Sequence, residues 1–185
     1  MSRRMFPPLA VLLALLGGLF AASIVSAQTN SLDHSPADVV KRYLGLDYKG
    51  ARLDVMSIDA VSSYTNWHEE PTWRQVVVIR GFTVAEHYRQ WEVIDRFELI
   101  IPVIFQVLGS VNLETASFTQ EVKREEVQVH VKAVNNRWRI IEPMLPPHVG
   151  QKRMVNIVRE GWMKETDQAK RGLLDSLRDE LRKAK

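Results

Sequence analysis

The chain has no cysteine. An oxidising compartment therefore offers it no covalent staple, and attachment of lipid through an N-terminal cysteine is excluded. Stability must come from a buried core. The sequence also lacks the motifs that announce a chemistry. It has no Gly-rich phosphate loop and no Gly-x-Ser-x-Gly elbow. Charge is nearly balanced, with 25 Lys and Arg against 22 Asp and Glu. The body is mildly acidic and residues 151–185 mildly basic. Neither has the clustered basic, aromatic-rich face of a nucleic-acid binder, so nucleic acid is not an expected partner. Internal repeats and low-complexity segments are absent too.

What is present begins with an export signal. Arg3 and Arg4 precede an apolar run over residues 9–25, and Val25-Ser26-Ala27 offers small residues for cleavage after Ala27. The run is at the lower length limit for crossing a bilayer. The expectation is an exported protein, periplasmic or secreted, with no stable membrane span after cleavage. Ser2-Arg3-Arg4-Met5-Phe6 resembles a twin-arginine start, but Pro7-Pro8 departs from it, which favours the general secretory route. Three parts follow: a signal over 1–27, a folded body over 28–150, and a C-terminal amphipathic helix over 151–185.

Ser35-Pro36-Ala37-Asp38 reads as a helix start, and Val39, Val40, Tyr43 and Leu44 follow at helical spacing toward a stop at Lys49-Gly50. A second helical stretch is expected over 51–58, with Leu53 and Met56 inward. Pro71 keeps the aromatic connector 59–75 irregular. Strand patterns then cover 76–88, 91–108, 118–134 and 137–142. Gly81 marks a bulge in the first. Pro102 marks an edge or bulge in the second, and Asn135-Asn136 a tight hairpin. From 151 to 184 apolar residues recur at helical spacing, with Gly161 and Gly172 as weak points. The fold class expected is α+β: a curved antiparallel sheet wrapped on N-terminal helices as a cone, plus the long C-terminal helix.

Three features in this order resemble the nuclear transport factor 2 superfamily, also called SnoaL-like, and its uncharacterised secreted bacterial members. They are the helix Asp38-Val-Val-Lys-Arg-Tyr-Leu-Gly-Leu46, the connector from Tyr64 to Trp73, and the closing stretch from Val127 to Pro147. The resemblance spans residues 36–147 and implies a cone with a pocket. The C-terminal helix departs from it. Such cones host isomerases, cyclases, dehydratases and pure binding modules, so the fold alone does not choose among them.

Enzymes of this kind use a buried Asp base with a Tyr or His donor. Asp95 falls on an otherwise apolar face, with Tyr43 as a donor; alternatively Asp95 pairs with an Arg or lies at the open end of the sheet. His87 and His130 have solvated flanks, and His34 and His148 stand alone. His68-Glu69-Glu70 is too tightly spaced to converge on one ion, so no metal and no cofactor are expected. Tyr43, Trp67, Trp73, Trp91 and Trp138 are candidates to line an apolar ligand pocket, or else the tryptophans fill the core. Leu173, Leu174, Leu177 and Leu181 close the cone, or bind an envelope protein or a second copy. The function expected is an exported, non-catalytic binding module for an apolar small molecule or a protein. The alternatives are a metal-free isomerase, cyclase or dehydratase, and a module dimerising through the C-terminal helix.

Overall fold

The structure, a computed structural model, describes residues 34–67 and 69–185. The expected signal, the leader to residue 33, and His68 lie outside the described residues. The protein is mixed α+β, with helices at both ends of a strongly curled half-barrel sheet.

Helix α1 (Pro36–Tyr48) opens with Pro at its first position and Asp38 in its first turn, both suited to the positive end of the helix. It buries Val39, Val40, Tyr43, Leu44 and Asp47, one face at helical spacing. Gly50, with φ of 78°, ends it. The helix expected over 51–58 does not form. A single 3-10 turn, Ala51–Leu53, is followed by the short α2 (Ile58–Ser62). Between them the Asp54 carboxylate accepts the Met56 amide at 3.1 Å and the Ser57 hydroxyl at 2.8 Å. That local turn competes with helix and leaves Met56, expected inward, 90% exposed.

Six strands follow: β1 (Gln75–Val84), β2 (Glu92–Asp95), β3 (Glu98–Asn112), β4 (Ser117–Val134), β5 (Arg137–Glu142) and β6 (His148–Gly150). The order is β5-β4-β3-β1-β6, with β2 also on β3; β6 is parallel to β1 and the other pairs are antiparallel. The stretch 91–108 is therefore two strands, not one. The Asp95 carboxylate accepts the Phe97 amide at 2.6 Å, and Asp95 pairs with Glu98 across a two-residue turn. Pro102 is tolerated in central β3 because β1 ends opposite Val103 and β2 begins opposite Ile100. Asn135 and Asn136 take positive φ at the β4–β5 hairpin, as that turn requires.

Register slips recur at one level of the sheet: at Val78/Ile79 and Ile79/Gly81 between β1 and β3, and at Val107/Gly109 between β3 and β4. Extra residues at one level bend the strands there. They also change which face each strand buries. Val76 and Val78 face the C-terminal helices, while Ile79 and Val84 face α1; Val107 faces α1, while Leu108 and Val111 face the helices. Gly109 sits on this line with φ of 155°, and a Cβ there would overlap the Thr119 carbonyl oxygen.

The tail is a helical hairpin, α3 (Gln151–Lys164) and α4 (Gln168–Lys183). The break lies at residues 165–167, and Gly161 and Gly172 stay inside helices. The Asp167 carboxylate accepts the Ala169 and Lys170 amides at 2.8 and 3.1 Å, an N-cap that starts α4. The Arg171 guanidinium lies 5.3 Å from the Trp162 ring centre, bracing one helix on the other. Leu177 and Leu181 are buried with Val76, Val78, Leu108, Val149, Met154 and Val158. These two leucines, for which the sequence left open closing the body or binding a partner, are core residues of the chain itself. Leu174 packs at the edge of that core, and Leu173 is exposed.

Candidate functional site

The last turn of α1 carries Asp47 on its buried face, seven residues after Val40 and four after Tyr43. A carboxylate on an apolar stripe must find partners. Asp47 Oδ2 accepts the His148 amide at 2.8 Å and lies 3.4 Å from Arg52 Nη1. Arg52 reaches back from the turn after α1, with only 1% of its side chain exposed. Its Nε and Nη2 donate to Glu70 Oε2 at 3.0 and 2.5 Å, and Nη2 also donates to the Leu145 carbonyl at 2.9 Å. The guanidinium thus ties α1, the 59–75 connector and the Pro-rich 143–147 segment together.

Glu70 is gripped from a second side. The Trp67 indole donates to Oε1 at 3.2 Å and the Trp73 indole to Oε2 at 3.3 Å. Tyr43 meets Trp67 edge to face at 6.2 Å. The structure therefore brings Tyr43, Trp67 and Trp73 together around Glu70, a residue whose role the sequence did not disclose. Trp91 stands elsewhere, donating to the Ala85 carbonyl at 2.8 Å, and Trp138 is buried in the core under α1. The five aromatic candidates do not converge on one pocket.

The charges follow from these contacts. Burial pushes the Asp47 carboxyl up to about 6, outweighing the Arg52 charge and the His148 hydrogen bond. Burial also acts to raise Glu70, but Arg52 and the two indoles hold it below the usual range. Burial raises the Tyr43 hydroxyl well above its ordinary value. It lowers His148 to about 4, so that imidazole is neutral at pH 7. His148 Nδ1 lies 2.7 Å from the Pro146 carbonyl, which can only accept; the proton is therefore on Nδ1 and Nε2 carries the lone pair. The ring packs on Phe105 at 4.3 Å.

His148 lines a cleft of about 210 Å³ on the α1 face of the sheet. Its other walls include Gln75, Ser110, Glu121, Lys123 and Glu125, with Val77, Val107, Leu145 and Pro146 as apolar surface. Lys123 lies 3.2 Å from Glu121 and 3.3 Å from Glu125. A larger, shallow cleft of about 450 Å³ is lined by Glu86, His87, Pro102, Ile104 and Glu126. It contains none of the buried, perturbed groups, so the smaller cleft is the better candidate.

The remaining sequence candidates are placed as follows. Asp95 is exposed at the β2–β3 turn, its carboxylate committed to the Phe97 amide, and is not within an apolar pocket with Tyr43. His130 bridges strands, with Nε2 2.7 Å from Glu98 and Nδ1 3.1 Å from Glu142. His87 is exposed where a short 3-10 turn begins. Among the described residues no three His, Asp or Glu groups could hold one metal ion, and no helix is long and apolar enough to cross a membrane. Asp47 and Arg52 escaped sequence reading, and His148 was read only as standing alone; the signal for Asp47 was a charge on the apolar stripe of α1. Comparison with known proteins finds no matching family model, curated protein or solved structure.

Proposed function

We propose that this chain is an exported, non-catalytic binding module, and that its ligand is a small, cationic hydrogen-bond donor held in the His148 cleft. The curled sheet with α1 packed on one face is read as the cone of the superfamily it resembles. The observation that carries the reading is the neutral His148 imidazole, its tautomer fixed by Pro146, at a cleft bearing two glutamates and one lysine.

A group with a pKa of about 4 is a weak base at neutral pH. It serves better as a hydrogen-bond acceptor than as a proton acceptor, and that favours binding over catalysis. Asp47, the carboxylate nearest to neutral pKa, is enclosed by Arg52 and the His148 amide rather than lining the cleft. The isomerase-type alternative needs Asp95 or a histidine buried in an apolar cavity. Asp95 is exposed, and the buried His148 is a weak base in a cleft that also carries Glu121, Lys123 and Glu125.

Isothermal titration with 1,4-diaminobutane, glycerol and acetate tests this. The diamine is expected to bind saturably and acetate not at all. His148→Phe and Glu125→Gln should each weaken diamine binding about tenfold, the loss of one good hydrogen bond or charge contact. Absence of diamine binding, or binding untouched by both substitutions, sinks the reading. Turnover of a steroid-like or polyketide ketone that Asp95→Asn abolishes would restore the enzyme.

A further inference from the structure

Strand β4 has an uncovered edge. On one side residues 117–132 pair with β3 except at Glu121 and Val122, where the register slips, but on the other β5 reaches only from Val134 to His130. Residues 119–128 therefore present one edge of backbone N–H and C=O groups to solvent, and the described hydrogen bonds outside strands and helices involve none of them. The outer edge of β5 is closed differently: the Asn66 amide donates to the Ile140 carbonyl and the Ile140 amide to the Tyr64 carbonyl, both at 2.9 Å. Open edges are templates for another strand unless charge or geometry prevents it.

The charges on this edge alternate in sign along one face. Glu121, Lys123 and Glu125 line the α1-side cleft, while Val122 and Arg124 line a cleft on the opposite face with Arg80 and Leu108. Val122 is 58% exposed. An edge of one sign would repel a copy of itself; an alternating edge need not.

We propose that β4 is a self-association edge, and that a second copy of this chain pairs with it antiparallel about a two-fold axis through Val122. An axis perpendicular to the sheet keeps each face on its own side, so residues of like parity must pair. Centring on Lys123 sets Lys against Lys and Glu121 against Glu125. Centring on Arg124 or Glu125 sets like charges on the axis. Centring on Val122 sets valine on valine, Glu121 on the partner's Lys123 and Gln120 on the partner's Arg124. Directly opposite unlike charges stabilise an antiparallel pair and like charges oppose it. The occupant fixed by this pattern is a copy of the same strand. Glu121, Lys123 and Glu125 also wall the His148 cleft, so the two proposals share residues; mass in sedimentation reads association, and titration heat reads the ligand.

Sedimentation velocity over a range of concentrations tests it, with circular dichroism to verify folding. The wild type should shift from monomer to dimer as concentration rises. Lys123→Glu and Glu121→Lys should each weaken the dimer at least tenfold by opposing like charges. Mixing these two single variants should restore it, because each then faces its opposite, and the double swap should dimerise alone. A wild type that stays monomeric overturns the proposal. So do single reversals that leave association unchanged, or a mixture that fails to recover it.

Discussion

The His148 amide donates to the Asp47 carboxylate across 101 residues of sequence, at 2.8 Å. This bond joins the last turn of α1 to the first residue of β6, the strand that leads straight into α3. Both residues are nearly inaccessible, at 1% and 4% exposure. Their side chains titrate abnormally in opposite senses, one raised to about 6 and the other lowered to about 4.

Opposite shifts give opposite pH dependences. From about pH 4 to 6 the unfolded Asp47 has lost its proton and the folded one keeps it, so its contribution to stability falls as pH rises. From about pH 6.5 down to 4 the unfolded His148 takes a proton that the folded one refuses, so its contribution falls as pH drops. Each slope is about 1.4 kcal/mol per pH unit, and the two oppose each other over the shared window. Urea midpoints across pH 4–6 should therefore be flatter for the wild type than for either variant. His148→Phe should lose stability as pH rises through that window, and Asp47→Asn should gain it. Variants that keep the wild-type slope and merely shift down would contradict this account.

Arg52 supports a second expectation. Arg52→Met leaves the Asp47 carboxylate buried without its counter-charge and the Leu145 carbonyl short of a donor. Breaking one side of a buried pair costs about 3–5 kcal/mol. Adding Asp47→Asn removes the stranded charge yet keeps an acceptor for the His148 amide. The double variant should then be more stable than Arg52→Met alone by at least about 1 kcal/mol, a coupling expected only of residues in contact. Glu70 can remain, since 24% of its side chain reaches solvent. Denaturant unfolding of the three variants measures the cycle; simple additivity would mean the pair does not act as one unit.

The reach of the sequence can be traced residue by residue. The apolar face of α1, the alternation from Leu99 to Val107, the bulge at Gly81 and the Asn135-Asn136 turn were all legible because each is a local pattern. The turn at Asp95 was not, because Arg96-Phe97 carries no glycine or proline and the alternation runs on through it. The break at Asp167 was legible in principle: a Thr-Asp pair ahead of Ala169 is a helix start, but the apolar spacing on either side suggested one helix. The Arg52 cluster could not be read, since its partners lie five, 18 and 93 residues away. Only the folded sheet brings them to one point.

The C-terminal leucines divide by depth, and so should their effects. Leu181 is fully buried between α3, α4 and the sheet, and the Gln151 side-chain amide donates to its carbonyl at 2.7 Å and to that of Ala184 at 2.8 Å. Those bonds satisfy carbonyls that a helix end otherwise leaves open. Leu181→Ala removes packed methyl groups from a site held on both sides, so it should cost about 2–5 kcal/mol. Leu173 is 53% exposed, and Leu173→Ala should fall within about 0.5 kcal/mol of wild type. If the leucines served a partner instead, Leu181→Ala would change association and spare stability. The combination to measure is thus urea unfolding together with sedimentation of the two variants. A stable Leu181→Ala protein with altered mass would place α4 away from the sheet.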